Sequence, residues 1–268
     1  MKTQYKALII DTMLKEVRSK TLIFIFIATT LSIILGHLVL SVITKQMGGD
    51  ISITGVDALS VNFRILNSIS FIIAAIFGVS VFRSDFQNNI IYQYLSFPIS
   101  RTEYFFIRVL GTWLLVLAYY TYAYVLSSVM FSFAFKKIIF TPQHFLSFLV
   151  LCLYLLMIIF ISIFFSLLMN KIGALFVTFA TALSAAISFG IYSTIPYSEF
   201  FKDMGILRGI GLVFYYLFPR ITFLDNMSNN LLFGSDIKLV LWEQILHLVV
   251  ISGVYVYLAN YLVKRKNF

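Results

Sequence analysis

The chain has 268 residues, of which 60% are hydrophobic and only 12% charged, with a net charge of +9. Soluble domains carry about 25% charged residues, so a water-soluble enzyme is excluded, and the positive balance is read as lysine and arginine left beside membrane spans rather than as a nucleic-acid surface. The single cysteine, Cys152, allows no intrachain disulfide.

Residues 1–20 read as an amphipathic helix lying in the membrane interface. Ile10, Met13, Leu14 and Val17 follow helical spacing, and Asp11–Lys15 and Glu16–Lys20 are i,i+4 pairs in the favourable order. The first apolar run is too long for a cleavable signal. Six spans are expected, at about 21–44, 65–82, 104–134, 145–169, 172–195 and 239–263, because each approaches the ~20 residues needed to cross a ~30 Å bilayer core. Asn170 and Lys171 form nearly the whole connection between the fourth and fifth. Segment 196–238 is expected as an outer loop. Its apolar stretch Gly205–Phe218 is interrupted by Arg208 and closed by Pro219-Arg220. That favours a re-entrant or interfacial element with its bend at Gly209–Gly211.

With both termini inside, the inner segments hold the majority of the 20 lysines and arginines, which sets the expected orientation. The chain contains no Gly-Lys dipeptide, so a phosphate-binding P-loop is impossible. His37, His144 and His247 are far apart, and Glu243 with His247 reads as polar packing rather than a metal site. No ionisable residue falls near the middle of an expected span, which argues against a self-powered transporter, and the missing catalytic constellation disfavours an intramembrane enzyme.

Small residues recur every four positions in three spans. The first carries Ala28, Ser32 and Gly36, the second Ser70, Ala74 and Gly78, and the fifth Ala174, Thr178, Ala182, Ala186 and Gly190. Such rows let helix backbones approach closely. The rows of the first and fifth spans are expected at a seam between two subunits, with packing inside one subunit as the alternative. The fourth span is bulky throughout, from Leu151 to Phe165, and reads as lipid-facing.

The connection between the second and third spans is organised differently from an ordinary linker. Ser84 and Gln87 have capping-box spacing, and Ile90, Ile91, Tyr94 and Leu95 then share one side of a short helix. Pro98 ends it. Ser100 and Glu103 form a second capping box, flanked by Ile99 and Tyr104 as a hydrophobic staple. An apolar row on a polar loop needs a membrane or a partner to cover it.

The stretch from Ser84 to Gly111, SDFQNNIIYQYLSFPISRTEYFFIRVLG, resembles the first cytoplasmic loop of permeases in type-2 ABC exporters. Leu95, Ser96, Pro98, Ile99, Ser100, Arg101 and Arg108 match that pattern, and Asp85 keeps one acidic position. Gln87 replaces another acid, while Asn89 and Ile90 stand where Gly-Thr is usual. The resemblance implies an all-α integral membrane protein in a bacterial cytoplasmic (inner) membrane, both termini cytoplasmic. It would have six transmembrane helices, an N-terminal interfacial helix, a cytoplasmic coupling helix at 84–97 and re-entrant or interfacial helices before the last span. Asp85, Gln87, Asn89, Ile90, Ile91, Tyr94, Leu95, Pro98, Arg101 and Glu103 would then serve ATPase coupling. The implied partners are a P-loop ATPase subunit in two copies, carrying the ATP and Mg that this chain does not bind, and a second permease copy or a homologous one. Export of a lipid-like, peptide or other amphipathic substrate is the expected function. The alternative is a membrane anchor for a cytosolic partner, without transport.

Overall fold

The computed structural model describes residues 2–18, 20–46, 55–87, 99–135, 140–193, 195, 199, 205–233 and 241–265. Within them the chain is helical: α1 (Lys2–Arg18), α2 (Thr21–Gln46), α3 (Gly55–Gln87), α4 (Arg101–Phe135), α5 (Pro142–Leu168), α6 (Lys171–Tyr192), α7 (Ile206–Leu217), α8 (Ile221–Phe233) and α9 (Leu241–Arg265). Six of these, α2 to α6 and α9, are long and apolar enough to cross a membrane, which makes the chain a multi-pass membrane protein.

Several boundaries follow from local chemistry. Thr141 caps α5, its hydroxyl accepting from the His144 amide, and Pro142 occupies the first turn, where its missing N–H costs nothing. The α5–α6 hairpin is as tight as expected but turns through Met169 and Asn170, Lys171 being the first residue of α6; the Asn170 side chain accepts from the Gly173 amide at 2.7 Å. Lys20 takes a left-handed φ of 58° between α1 and α2, and its amide bonds Val17 O.

α3 is much longer than the expected second span, 33 residues or about 50 Å at 1.5 Å per residue. Asn62, Arg64 and Asn67 obscure its start in a hydropathy reading, yet Asn62 and Asn67 are buried and bonded inside the bundle. At its other end α3 continues unbroken through Ser84 to Gln87, so no helix starts at Ser84 and that capping-box reading is overturned.

α5 is not lipid-facing, contrary to its bulky sequence. It is the central helix, packed on α3, α8, α9, α6 and α4. Leu151, Leu155, Ile158, Ile159 and Ser162 are all buried. The space comes from α3, whose small row Ser70, Ala74 and Gly78 faces it. A Cβ built on Gly78 would lie 2.8 Å from Ser162 Cβ and 3.1 Å from Ile159 O. One helix supplies the volume and the other the absence of volume.

α7 and α8 meet at 75°, in the region expected to be broken, but at Phe218–Pro219–Arg220 instead of Gly209–Gly211. Pro219 forbids the helical conformation to its predecessor, and Phe218 is accordingly extended (φ −95, ψ 146). Gly209 and Gly211 lie inside α7; Gly211 lets Tyr192 approach, a Cβ there being 3.1 Å from the ring.

Replacing Gly78 with Ala is expected to cost about 1–3 kcal/mol, since the added methyl meets backbone. Gly253→Ala meets nothing within 4 Å and should gain about 0.5–1 kcal/mol from helix propensity. Denaturant titration of the two purified variants in detergent checks the contrast.

Candidate functional site

The apolar row of the loop, Ile90, Ile91, Tyr94 and Leu95, together with Asn89 and Pro98, lies outside the described residues. Gln87 is the last residue of α3. The two ends of the loop are described, and they converge on one joint.

α4 begins with the expected capping box. The Ser100 amide and hydroxyl each donate to Glu103 Oε2 at 2.8 Å, and the Glu103 amide returns a bond to Ser100 Oγ at 3.2 Å. Ile99 and Tyr104 are both buried in the main apolar cluster, as a staple requires. Glu103 also accepts from the Tyr5 hydroxyl at 2.7 Å, which ties the start of α4 to α1 and raises the Tyr5 phenol above its ordinary value. Arg101 donates to Lys264 O in the last turn of α9 at 2.7 Å, and Arg83 donates to Met169 O at the end of α5 at 3.0 Å. Each arginine satisfies a carbonyl that a helix end leaves open.

Asp85 sits at the centre of the joint and is fully buried. Its carboxylate pairs with Arg108 Nε at 2.8 Å and Lys15 Nζ at 3.0 Å, and accepts from the Tyr104 hydroxyl at 2.5 Å. Arg108, 1% exposed, also donates to Thr12 Oγ1 at 2.6 Å and pairs with Asp11 at 3.3 Å. Three helices thus share one network of two acids and two bases: α1 through Asp11, Thr12 and Lys15, α3 through Asp85, and α4 through Tyr104 and Arg108. Gly111 allows the contact, since a Cβ there would lie 3.0 Å from Thr12 Cβ. The cavity beside the network, lined in part by Thr12, Lys15, Arg108 and Thr112, measures about 10 Å³. That is about the room one water needs, so the joint is closely packed.

Sequence reading placed Asp85 on the polar loop and read Asp11–Lys15 as a pair within one helix. The structure buries Asp85 and sends Lys15 to Asp85 and Asp11 to Arg108. The one signal was the spacing itself: Asp11 and Lys15 lie on one face, the same face that carries Thr12 and Leu8 to α4.

At the opposite end of the bundle the interior is polar. Asn62 Nδ2 donates to Ser127 Oγ at 2.6 Å, and Asn67 Nδ2 to Asp225 Oδ1 at 3.2 Å. Ser147 and Ser228 share a bond of 2.6 Å, and His144 Nε2 lies 2.9 Å from Ser128 Oγ. Asp225, half-buried, therefore packs against the spanning helix α3. Arg220, at the α7–α8 break, is buried. It donates to Gln244 at 2.8 Å and lies 3.9 Å over the Tyr215 ring. His247 bonds Tyr216 O at 3.0 Å, polar packing as expected. Among the described residues no three His, Cys, Asp or Glu side chains converge on a metal position.

The two small rows assigned to a subunit seam differ. On α2, Ser32 is exposed while Ala28 and Gly36 are half-buried. On α6, Ala174 and Thr178 are buried within this chain, Ala182 and Ala186 are half-buried, and Gly190 is exposed.

Comparison with known protein families, with curated proteins and with solved structures finds no match to this chain.

Removing Arg108 (Arg108→Met) leaves a buried carboxylate short of its closest cation and is expected to cost about 3–5 kcal/mol. Lys15→Met, at a position 32% exposed, should cost under about 1 kcal/mol. Unfolding of both variants by denaturing detergent, followed by circular dichroism, reads the ranking; equal losses would show that the joint is not organised on the Asp85–Arg108 pair.

Proposed function

We propose that this chain is the membrane-spanning subunit of an ATP-driven exporter whose hydrolysis, with its ATP and Mg, takes place on a separate P-loop ATPase. The carrying observation is the anchoring of both ends of the 88–98 loop. Arg83 fixes one end to α5 and Asp85 fixes it to α1 and α4; Glu103 and Arg101 fix the other end to α1 and α9. A passive connector needs no such mount. A loop that receives force does, because a push on it is passed to four helices instead of being lost in side-chain motion.

In this reading Ile90, Ile91, Tyr94 and Leu95 meet the ATPase, while Asp85, Arg101 and Glu103 transmit force from behind. The joint is cytoplasmic, both termini lie inside, and the membrane is the inner membrane of a bacterium. Two copies, or this chain and a homologue, enclose the pathway for a lipid-like, peptide or other amphipathic cargo, and the exposed Ser32 face of α2 is available to that seam.

Tyr94→Asp with Leu95→Asp is expected to abolish co-purification of the ATPase, read by affinity pull-down, while the chain still elutes as a folded species. Lys15→Met should leave the ATPase bound but lower cargo-stimulated hydrolysis several-fold, because α1 then loses its tie to Asp85. Retained binding in the first variant would sink the docking assignment. Lost binding there, with no stimulation of hydrolysis by cargo even in the wild type, would identify a membrane anchor instead of a transporter.

A further inference from the structure

A groove of about 530 Å³ runs between α6 and α7, within the roughly 300–1,000 Å³ typical of ligand clefts. Its walls are Ile187 and Ile191 from α6 and Leu207, Ile210 and Phe214 from α7, and Arg208 stands on its rim. The groove is built, not a gap between loosely placed helices. The Tyr192 hydroxyl donates to Arg208 O at 2.7 Å, and Gly211 admits the Tyr192 ring, so the two helices are held at a fixed spacing.

Three features identify an occupant. The groove opens sideways, since Ile187, Ile191 and Leu207 are 56%, 50% and 86% exposed. α6 is a membrane-crossing candidate, and an apolar cleft at that position is filled by hydrocarbon more favourably than by water. Arg208 adds a charge. Its Nη2 donates to Glu199 O at 2.7 Å, and the ion pairs among the described residues, Lys15–Asp85, Arg108–Asp11 and Arg108–Asp85, do not include it. A guanidinium anchored by one nitrogen keeps further donors for a phosphate, to which arginine binds in a bidentate manner.

We propose that this groove is a binding site for an anionic phospholipid of the surrounding membrane, one acyl chain lying between α6 and α7 and the phosphate on Arg208. A net-negative headgroup neutralises the cation; a zwitterionic one does not. The site does not depend on the transport reading, since it needs only a membrane.

The test uses the purified full chain in detergent, incubated with equal amounts of phosphatidylglycerol and phosphatidylcholine, with bound lipid counted by native mass spectrometry. The wild type should retain phosphatidylglycerol about tenfold over phosphatidylcholine. Arg208→Gln should erase the preference and Arg208→Lys restore part of it. Ile187→Trp, which fills the groove and leaves Arg208 in place, should lower retention of both lipids. Equal retention by the wild type overturns the proposal. So does a preference that survives Arg208→Gln, or binding unaffected by Ile187→Trp, which would place the lipid elsewhere.

Discussion

A carboxylate that is fully out of water has to be matched, and Asp85 is matched from two directions. Stripping a carboxylate of solvent costs several kcal/mol even after relaxation. Arg108 and Lys15 return that cost only if α1 and α4 are held within about 3 Å of it. The geometry of one end of the bundle follows. α1 cannot drift off into the interface, because Lys15 and Thr12 are committed, and Gly111 must stay small so that Thr12 can reach Arg108. The apolar row Ile10, Leu14 and Val17 stays exposed on the other face of α1.

The other end is held by weaker and more numerous terms. Hydrogen bonds between membrane helices average about 0.6 kcal/mol, so Asn62–Ser127, Asn67–Asp225 and Ser147–Ser228 add little stability one by one. Each has few geometries in which it forms, however: Asn67–Asp225 and Ser147–Ser228 place α8 against α3 and α5, and Asn62–Ser127 places α3 against α4. Further along α3, toward Asp85, Gly78 lets α3 and α5 approach closely. Packing sets the distance between those two helices, and the polar pairs set register.

What was legible in the sequence was local. The Ser100–Glu103 box, the Asn170 turn and the six long apolar helices depend on residues a few positions apart, and each is found close to where it was expected. What was not legible was long-range compensation. α5 looked lipid-facing because its own residues are bulky; the small residues that receive them stand on α3. The start of α3 was hidden because Asn62 and Asn67 count as polar in any hydropathy sum, although Ser127 and Asp225 satisfy them. Asp85 looked like a surface acid because its partners lie 23 residues ahead, at Arg108, and 70 behind, at Lys15. The bend before α8 was placed at glycines, which merely permit a turn, instead of at Pro219, which imposes one.

The Asp85 joint also orders events on the ribosome. Lys15 and Asp85 both precede Arg108 in the chain, so as the chain emerges Asp85 can meet Lys15 before its guanidinium partner. Asp85 lies just past the apolar segment Val61–Arg83, so the nascent α3 carries an acid beyond the end of its span until α4 brings the guanidinium. A chain stopped short of Arg108 would leave Asp85 without the closer of its two cations.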